Sequence, residues 1–190
     1  EIFNKMGFGI NIGNTMEVPG NPTGWGNKFP TEAYIDSVKA AGFSTIRIPC
    51  AWDSHAKDGV INEGWMDSVQ TVVDMCMRAG LVTVLNIHWD GGWLEGNLSD
   101  DKKDEVNAKQ KAYWTQIATR FKNYNERLLF ASANEPATTD DNYKHETEIL
   151  ATYHQTFVDA VRATGGNNAS RTLVIQGPST SIDRSVEVYT

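Results

Sequence analysis

Asn134 and Glu135 follow an apolar run at residues 128–132 and precede Pro136. A glutamate acts as a general acid when its surroundings keep it protonated, and partial burial or a nearby carboxylate has that effect. Asn134 does not titrate, but its amide can donate a hydrogen bond to a substrate hydroxyl. The pair therefore predicts acid–base chemistry beside a hydroxylated substrate.

Two more polar side chains accompany the preceding apolar segments. Arg47 lies in the segment TIRIP, and His88 follows the segment VTVLNI. Arg47 can hold a second carboxylate ionised through charge-assisted hydrogen bonds, and His88 can donate to a sugar hydroxyl. Cleavage of a glycosidic bond needs two carboxyl groups that flank the sugar. These residues together indicate glycoside hydrolysis.

Each residue alone also has a structural explanation. Asn134 could be the N-cap of a helix, Arg47 an ion-pair partner, and His88 a hydrogen-bonded interior histidine. His88, Asp90 and Glu135 could also bind a metal ion. No second histidine stands at a ligand spacing, so we expect neither a zinc site nor any other metal site.

Alternating apolar segments and amphipathic segments predict the elements that position these residues. Strands are predicted at residues 7–12, 45–49, 82–87, 128–132 and 172–176, where short runs are rich in branched side chains. Helical spacing of apolar residues predicts a helix between each pair of neighbouring strands. The first opens at Pro30, and the others end near Gly80, Phe121 and Gly165. The tail SIDRSVEVYT shows no further complete unit.

Five strands with intervening helices predict a parallel α/β fold, for which two architectures compete. The length of 190 residues favours a complete doubly wound sheet. A (β/α)₈ barrel takes roughly 250 residues, so the chain would supply only the first five strands. The polar strand ends favour the barrel. The glycines near the first strand lack the context of a phosphate-binding turn, which argues against a nucleotide cofactor.

Composition excludes several classes of protein. The net charge is −7 and no Lys/Arg cluster is present, so nucleic acid is not an expected partner. No signal peptide and no run of about 18 apolar residues occurs, although a secreted protein in its mature form would look the same. Cys50 and Cys76 lie in apolar patterns and are expected to be buried free thiols.

The sequence resembles glycoside hydrolase family 5, the cellulase-type clan of (β/α)₈ barrels. It is most similar to the endo-β-1,4-glucanases and xyloglucanases of rumen and gut bacteria. Six segments carry the resemblance in family order: GINIGNTME (9–17), GWGN (24–27), AAGFSTIRIP (40–49), LNIHWDGGWLE (85–95), YWTQIATRFKNY (113–124) and LLFASANEP (128–136). The resemblance implies that residues 1–190 are an incomplete catalytic domain, the first five β/α units of the barrel.

The resemblance also implies roles for the polar residues. Glu135 would be the general acid/base, Asn134 would bind the sugar 2-hydroxyl, Arg47 would support the nucleophile, and His88 would line the same subsite. Further substrate contacts would come from Asn14, Trp25, Trp89 and Trp93. Trp89 stands where many relatives have a second histidine, and this departure resembles the gut xyloglucanase group. No cofactor is implied.

The family nucleophile is a glutamate that ends the seventh strand, and no residue here matches it. Glu187 has no strand or motif around it. We therefore expect a retaining endoglucanase acting on cellulose, mixed-linkage β-glucan or xyloglucan, with this chain inactive alone. A complementing C-terminal chain, or self-association through open sheet edges, would be its protein partner. The expected location is extracellular, periplasmic or on the cell surface. A non-catalytic carbohydrate-binding fragment and a β-mannanase or xylanase are the alternatives.

Overall fold

The computed structural model describes residues 1–189, which form a five-stranded parallel sheet flanked by helices and a separate two-stranded hairpin. The strands are β1 (Gly9–Asn11), β2 (Thr45–Ile48), β3 (Ala56–Lys57), β4 (Val60–Ile61), β5 (Val82–Asn86), β6 (Leu128–Ala131) and β7 (Leu173–Val174). The helices are α1 (Glu32–Ala40), α2 (Glu63–Arg78), α3 (Lys103–Phe121), α4 (Tyr143–Ala163) and α5 (Ile182–Tyr189). The five predicted strands and the four predicted helices are confirmed.

The order of the strands decides between the two architectures. The sheet runs β1-β2-β5-β6-β7, and every neighbouring pair is parallel. Strands β3 and β4 form the antiparallel hairpin between β2 and α2. A doubly wound sheet reverses its strand order at a switch point, whereas a barrel wall adds each strand beside the previous one. The doubly wound alternative is therefore wrong, and the chain forms the wall of a partial (β/α)₈ barrel.

Side chains of the central strands alternate between two apolar layers, as the pleat requires. Leu85, Leu128 and Phe130 face the helices and join the larger core. Val84 and Leu129, which are partners in the register, face the opposite side with Ile2. Ile2 belongs to a short 3₁₀ turn, Ile2–Lys5, that packs against this concave face. Both faces of the central strands are covered, which explains their continuous apolar sequence.

Local signals in the sequence set the helix boundaries. The Thr31 hydroxyl accepts a hydrogen bond from the backbone N–H of Tyr34 and caps α1. The Asn62 side chain caps α2 in the same way through the N–H of Trp65. Gly80 follows the end of α2 with a φ of +75°, a conformation that favours glycine.

The tail of the chain differs from the expectation. Residues 182–189 form helix α5, so a helix follows the fifth strand of the sheet as well. The Ser181 hydroxyl accepts from the backbone N–H of Arg184 and supplies the N-terminal cap. Glu187 lies 2.6 Å from Lys144 on α4 and accepts from the Tyr143 hydroxyl, which makes it a surface ion-pair partner.

Both cysteines are free and buried, as expected. Burial raises the pKa of the Cys50 thiol well above its ordinary value and that of Cys76 to about 12. Among residues 1–189, no helix is both long and apolar enough to cross a membrane. Within the same range β1 pairs only with β2, and β7 only with β6, so these two strands form the edges of the sheet.

Candidate active site

Arg47 and Asn134 meet at the carboxyl ends of the strands. Arg47 lies on β2 opposite Val84 of β5, which in turn lies opposite Leu129 of β6. Asn134 follows the end of β6. The guanidinium Nη2 of Arg47 donates to Asn134 Oδ1 at 2.7 Å. Because this oxygen is engaged, the amide nitrogen of Asn134 is the group left to bind a substrate. The N-cap alternative for Asn134 is wrong, because the next α-helix, α4, begins at Tyr143.

The Arg47 side chain is half-buried among acidic residues. Burial lowers the pKa of Arg47, and the negative charges of Glu135, Glu95 and Glu17 oppose that effect. Arginine remains protonated through such changes, so the site keeps a fixed positive charge among three carboxylates. The guanidinium thus offsets the mutual repulsion of the acidic residues that surround it.

The His88 ring is neutral because burial lowers its pKa, and a hydrogen bond from Asn86 determines which ring nitrogen carries the proton. The Asn86 Oδ1 accepts from the backbone N–H of Cys50 at 3.1 Å, which fixes the orientation of this amide. Its Nδ2 therefore faces His88 Nδ1 at 3.2 Å as a donor. The imidazole proton then resides on Nε2. Burial, and to a lesser extent the charge of Arg47, lower the pKa of His88 to about 4. His88 can therefore donate one hydrogen bond from Nε2 to a hydroxyl group.

Glu95 fixes the segment that carries Glu135, a role that sequence reasoning missed. The Glu95 side chain is only 5% exposed. Its Oε1 accepts from the backbone N–H of Asn134 at 2.9 Å and from that of Glu135 at 2.5 Å. Burial raises the pKa of Glu95, while these two N–H donors oppose the rise. Glu95 ends the motif LNIHWDGGWLE, but its partners lie 39 and 40 residues further along the chain.

Two more buried carboxylates fix neighbouring loops. Glu17 accepts from the backbone N–H of Asn14 at 2.5 Å and from that of Thr15 at 2.8 Å. Asp90 accepts from the backbone N–H of Trp52 at 2.6 Å and also from that of Asp53. Hydrogen bonds of this kind from the backbone to a charged acceptor are strong. The loops that follow β1 and β2 are therefore each held by an acidic side chain.

The aromatic candidates divide into exposed rings and one buried ring. Trp25 is 54% exposed and Trp89 is 48% exposed, so both can offer a ring face to a ligand. Trp93 is only 8% exposed and belongs to the core. Its ring packs edge-on against Tyr113 with centroids 5.6 Å apart. The expectation that Trp93 contacts substrate stays a prediction, restricted to the small part of the residue that is exposed.

Asn14 and Glu135 are both exposed. Asn14 adopts a left-handed φ of 56° in the loop that follows β1. Within residues 1–189, which form one part of the barrel wall, Glu135 is exposed while Pro136 beside it is buried. Within residues 1–189 there is also no cluster of three or more His, Cys, Asp or Glu that could hold a metal ion.

Comparison with known proteins identifies the family. The family model described as Cellulase (glycosyl hydrolase family 5) matches residues 10–189. The chain belongs to glycoside hydrolase family 5. Membership of this family accounts for the partial barrel formed by the described residues.

Individual family 5 enzymes are similar over nearly the whole chain. A xyloglucan-specific endo-beta-1,4-glucanase of Bacteroides ovatus is 38% identical over 201 residues, covering 97% of this chain and 40% of its own length. Endoglucanase A of Paenibacillus barcinonensis is 42% identical over 206 residues, with coverage of 100% and 50%. Among solved structures, the chain is similar to a family 5 xyloglucan-specific beta-1,4-glucanase from a ruminal metagenomic library, crystallised in complex with XXLG. The two superpose with a TM-score of 0.94 at 44% identity, over 100% of this chain and 54% of that chain. This chain thus spans about half the length of these relatives.

Proposed function

We propose that residues 1–190 form the first five β/α units of the catalytic domain of an endo-acting β-1,4-glucanase. Its substrates are β-glucans: cellulose, mixed-linkage β-glucan or xyloglucan. The relatives named above support this class, since their names describe endoglucanases and xyloglucan-specific glucanases. Such polymers are too large to cross a membrane, so we place the complete protein outside the cytoplasm.

The observation that carries the proposal is the hydrogen bond from Arg47 to Asn134 beside an exposed Glu135. The bond leaves the Asn134 amide nitrogen free to donate to the sugar 2-hydroxyl. Glu135 protonates the oxygen of the departing sugar and later removes a proton from the attacking water. His88 donates from Nε2 to another hydroxyl of the same sugar. Trp25 and Trp89 stack on pyranose rings, and Asn14 binds a hydroxyl at the same face.

The retaining mechanism requires a second carboxylate about 5–5.5 Å from the first. Glu95 and Glu17, the other carboxylates whose charges act on Arg47, already accept backbone N–H groups. We therefore assign the nucleophile to a residue outside this chain. The remaining units of the barrel would come from further sequence or from a complementing chain that pairs with β1 and β7. The 190-residue chain alone is then inactive.

Substitution of Glu135 tests the assignment. In the catalytic domain completed by its remaining units, Glu135→Gln should lower kcat on β-glucan by about 100-fold to 10,000-fold, the usual contribution of a general acid or base. Binding of cello-oligosaccharides should stay within about twofold, because the glutamine keeps the shape of the side chain. Near-normal turnover would remove Glu135 from the role. A panel of glucan, mannan and xylan separates the proposed activity from that of a β-mannanase or xylanase.

A further inference from the structure

We propose that Glu95 is the positioning residue that aims the general acid/base and the 2-hydroxyl ligand together. This inference rests on the proposed function and concerns a residue that is buried beneath the site. Its basis is the convergence of two consecutive backbone N–H groups, those of Asn134 and Glu135, on one oxygen of a buried side chain.

From Ala133 to Glu135 the backbone N–H groups are held by side chains rather than by the sheet, whereas Ser132 before them still donates its N–H to the backbone oxygen of Val174 at 3.0 Å. Within residues 1–189 the strand pairing of β6 ends at Ala131, and Glu135 lies four residues beyond. Three consecutive N–H groups are nevertheless engaged by side chains: that of Ala133 by Gln176 Oε1 at 2.9 Å, and the next two by Glu95. The Glu95 backbone oxygen also accepts from the N–H of Ala137 at 3.2 Å. Glu95 therefore accepts hydrogen bonds from backbone N–H groups on both sides of Pro136.

The chemistry of the site explains why a carboxylate occupies this position. A carboxylate oxygen accepts two charge-assisted hydrogen bonds, which are shorter and stronger than bonds between neutral groups. Loss of the acceptor would leave two N–H donors without this partner. The Glu135 side chain is exposed, so its direction in the free site depends on how its backbone is held. A misplacement of about 1 Å by a remote substitution can lower a rate by about 100-fold.

Three substitutions of Glu95 test whether its side chain holds the segment that carries Glu135. Glu95→Ala removes the acceptor, whereas Glu95→Asp keeps the charge but withdraws the oxygen by one methylene. In both variants, hydrogen exchange at the amides of Asn134 and Glu135 should accelerate by about tenfold or more, and Glu95→Gln, which keeps an oxygen in place, should restore most of the protection. The aspartate variant serves if the alanine variant does not fold. Unchanged exchange at both amides would overturn the proposal.

Kinetics of the completed catalytic domain show whether Glu95 orients the Glu135 side chain or only stabilises the fold. An unactivated β-glucan needs the general acid for bond cleavage, whereas an aryl cellobioside with a good leaving group does not. Glu95→Asp should lower kcat/KM on β-glucan by about 100-fold and kcat/KM on the aryl cellobioside at least tenfold less, because kcat/KM reports the cleavage step and not the later attack of water, which needs the base on both substrates. Equal losses on the two substrates, or no loss on β-glucan, would contradict the aiming role.

Arg171 provides the matched control. Its buried guanidinium donates to the backbone oxygen of Leu128 at the start of β6 and to that of Tyr124, at the opposite end of the strand from Glu95. Arg171→Lys should lower Tm while leaving kcat on both substrates unchanged. If Glu135→Gln retains normal activity, the proposed function fails. If Glu135→Gln is inactive while Glu95→Asp is fully active, only the role of Glu95 fails.

Discussion

His154 should make the stability of the protein fall as the pH falls below neutrality. This histidine of α4 is buried behind the segment that carries Glu135. Its Nε2 donates to the backbone oxygen of Gln176 at 2.9 Å, and its Nδ1 accepts from the Ser132 hydroxyl at 2.8 Å. This pair of partners suits a neutral ring. Burial lowers the pKa of His154 from 6.5 to about 4, although the bond to Gln176 opposes the change.

The sign and size of the effect follow from linkage. The folded protein binds this proton less readily than the unfolded chain, so stability rises with pH between the two pKa values. The contribution is present above pH 6.5 and is lost as the pH falls toward 4. A displacement of this size corresponds to about 3 kcal/mol, because each tenfold change in proton affinity is about 1.4 kcal/mol. That figure is a large part of the stability of an ordinary domain.

Urea unfolding at several pH values between about 7 and about 4 measures the effect. The wild-type protein should lose about 3 kcal/mol more than His154→Gln across this interval. His145→Gln is the control: this exposed histidine lies 2.9 Å from Asp100, which raises its pKa, so its contribution is lost as the pH rises. This variant should keep the fall in acid. Parallel curves for the wild type and His154→Gln would refute the assignment to His154.

Three other substitutions or reactions give separate tests. Arg47→Lys removes the hydrogen bond to Asn134, which is worth about 2 kcal/mol, so kcat/KM of the completed domain on β-glucan should fall by about 30-fold. Arg78→Lys on the surface is the control and should leave kcat/KM unchanged. Equal values of kcat/KM for the two variants would contradict the site geometry. Trp93→Ala should lower the free energy of unfolding by about 3–5 kcal/mol, because its ring is buried, and Trp89→Ala by less than about 0.5 kcal/mol, because its ring is exposed. Urea titrations that show similar losses for both variants would refute this difference in burial. Cys50 and Cys76 should react with a thiol reagent only in denaturant, because both are buried with raised pKa values, and labelling of the native protein would contradict their described environment.

The fold was predictable through local patterns. Apolar runs located the five strands, and the caps and glycines located four helices. The distinction between barrel and doubly wound sheet came from chemistry at the strand ends, because strand order is not written in any single segment. Helix α5 was missed because it is short, none of its residues is buried, and its stabilising partners lie on α4.

The site was predictable where a polar residue that suits glycoside hydrolysis stands on or just after a strand. Asn134, Arg47 and His88 come together at the strand ends as expected. Glu95 escaped notice because its role depends on two N–H groups about 40 residues away, which no local pattern reveals. The burial of Trp93 was not foreseen, because exposure of an aromatic ring depends on tertiary neighbours such as Tyr113.

We propose that Glu135 is the acid/base of a retaining hydrolase whose nucleophile lies outside residues 1–190. The completed catalytic domain carrying Glu135→Ala should turn over an activated aryl cellobioside slowly, because water then attacks the glycosyl-enzyme without a base. Added azide needs no base, so it should accelerate turnover and give the β-cellobiosyl azide. Absence of acceleration, or formation of the α-anomer, would contradict the account, since the α-product would make Glu135 the nucleophile.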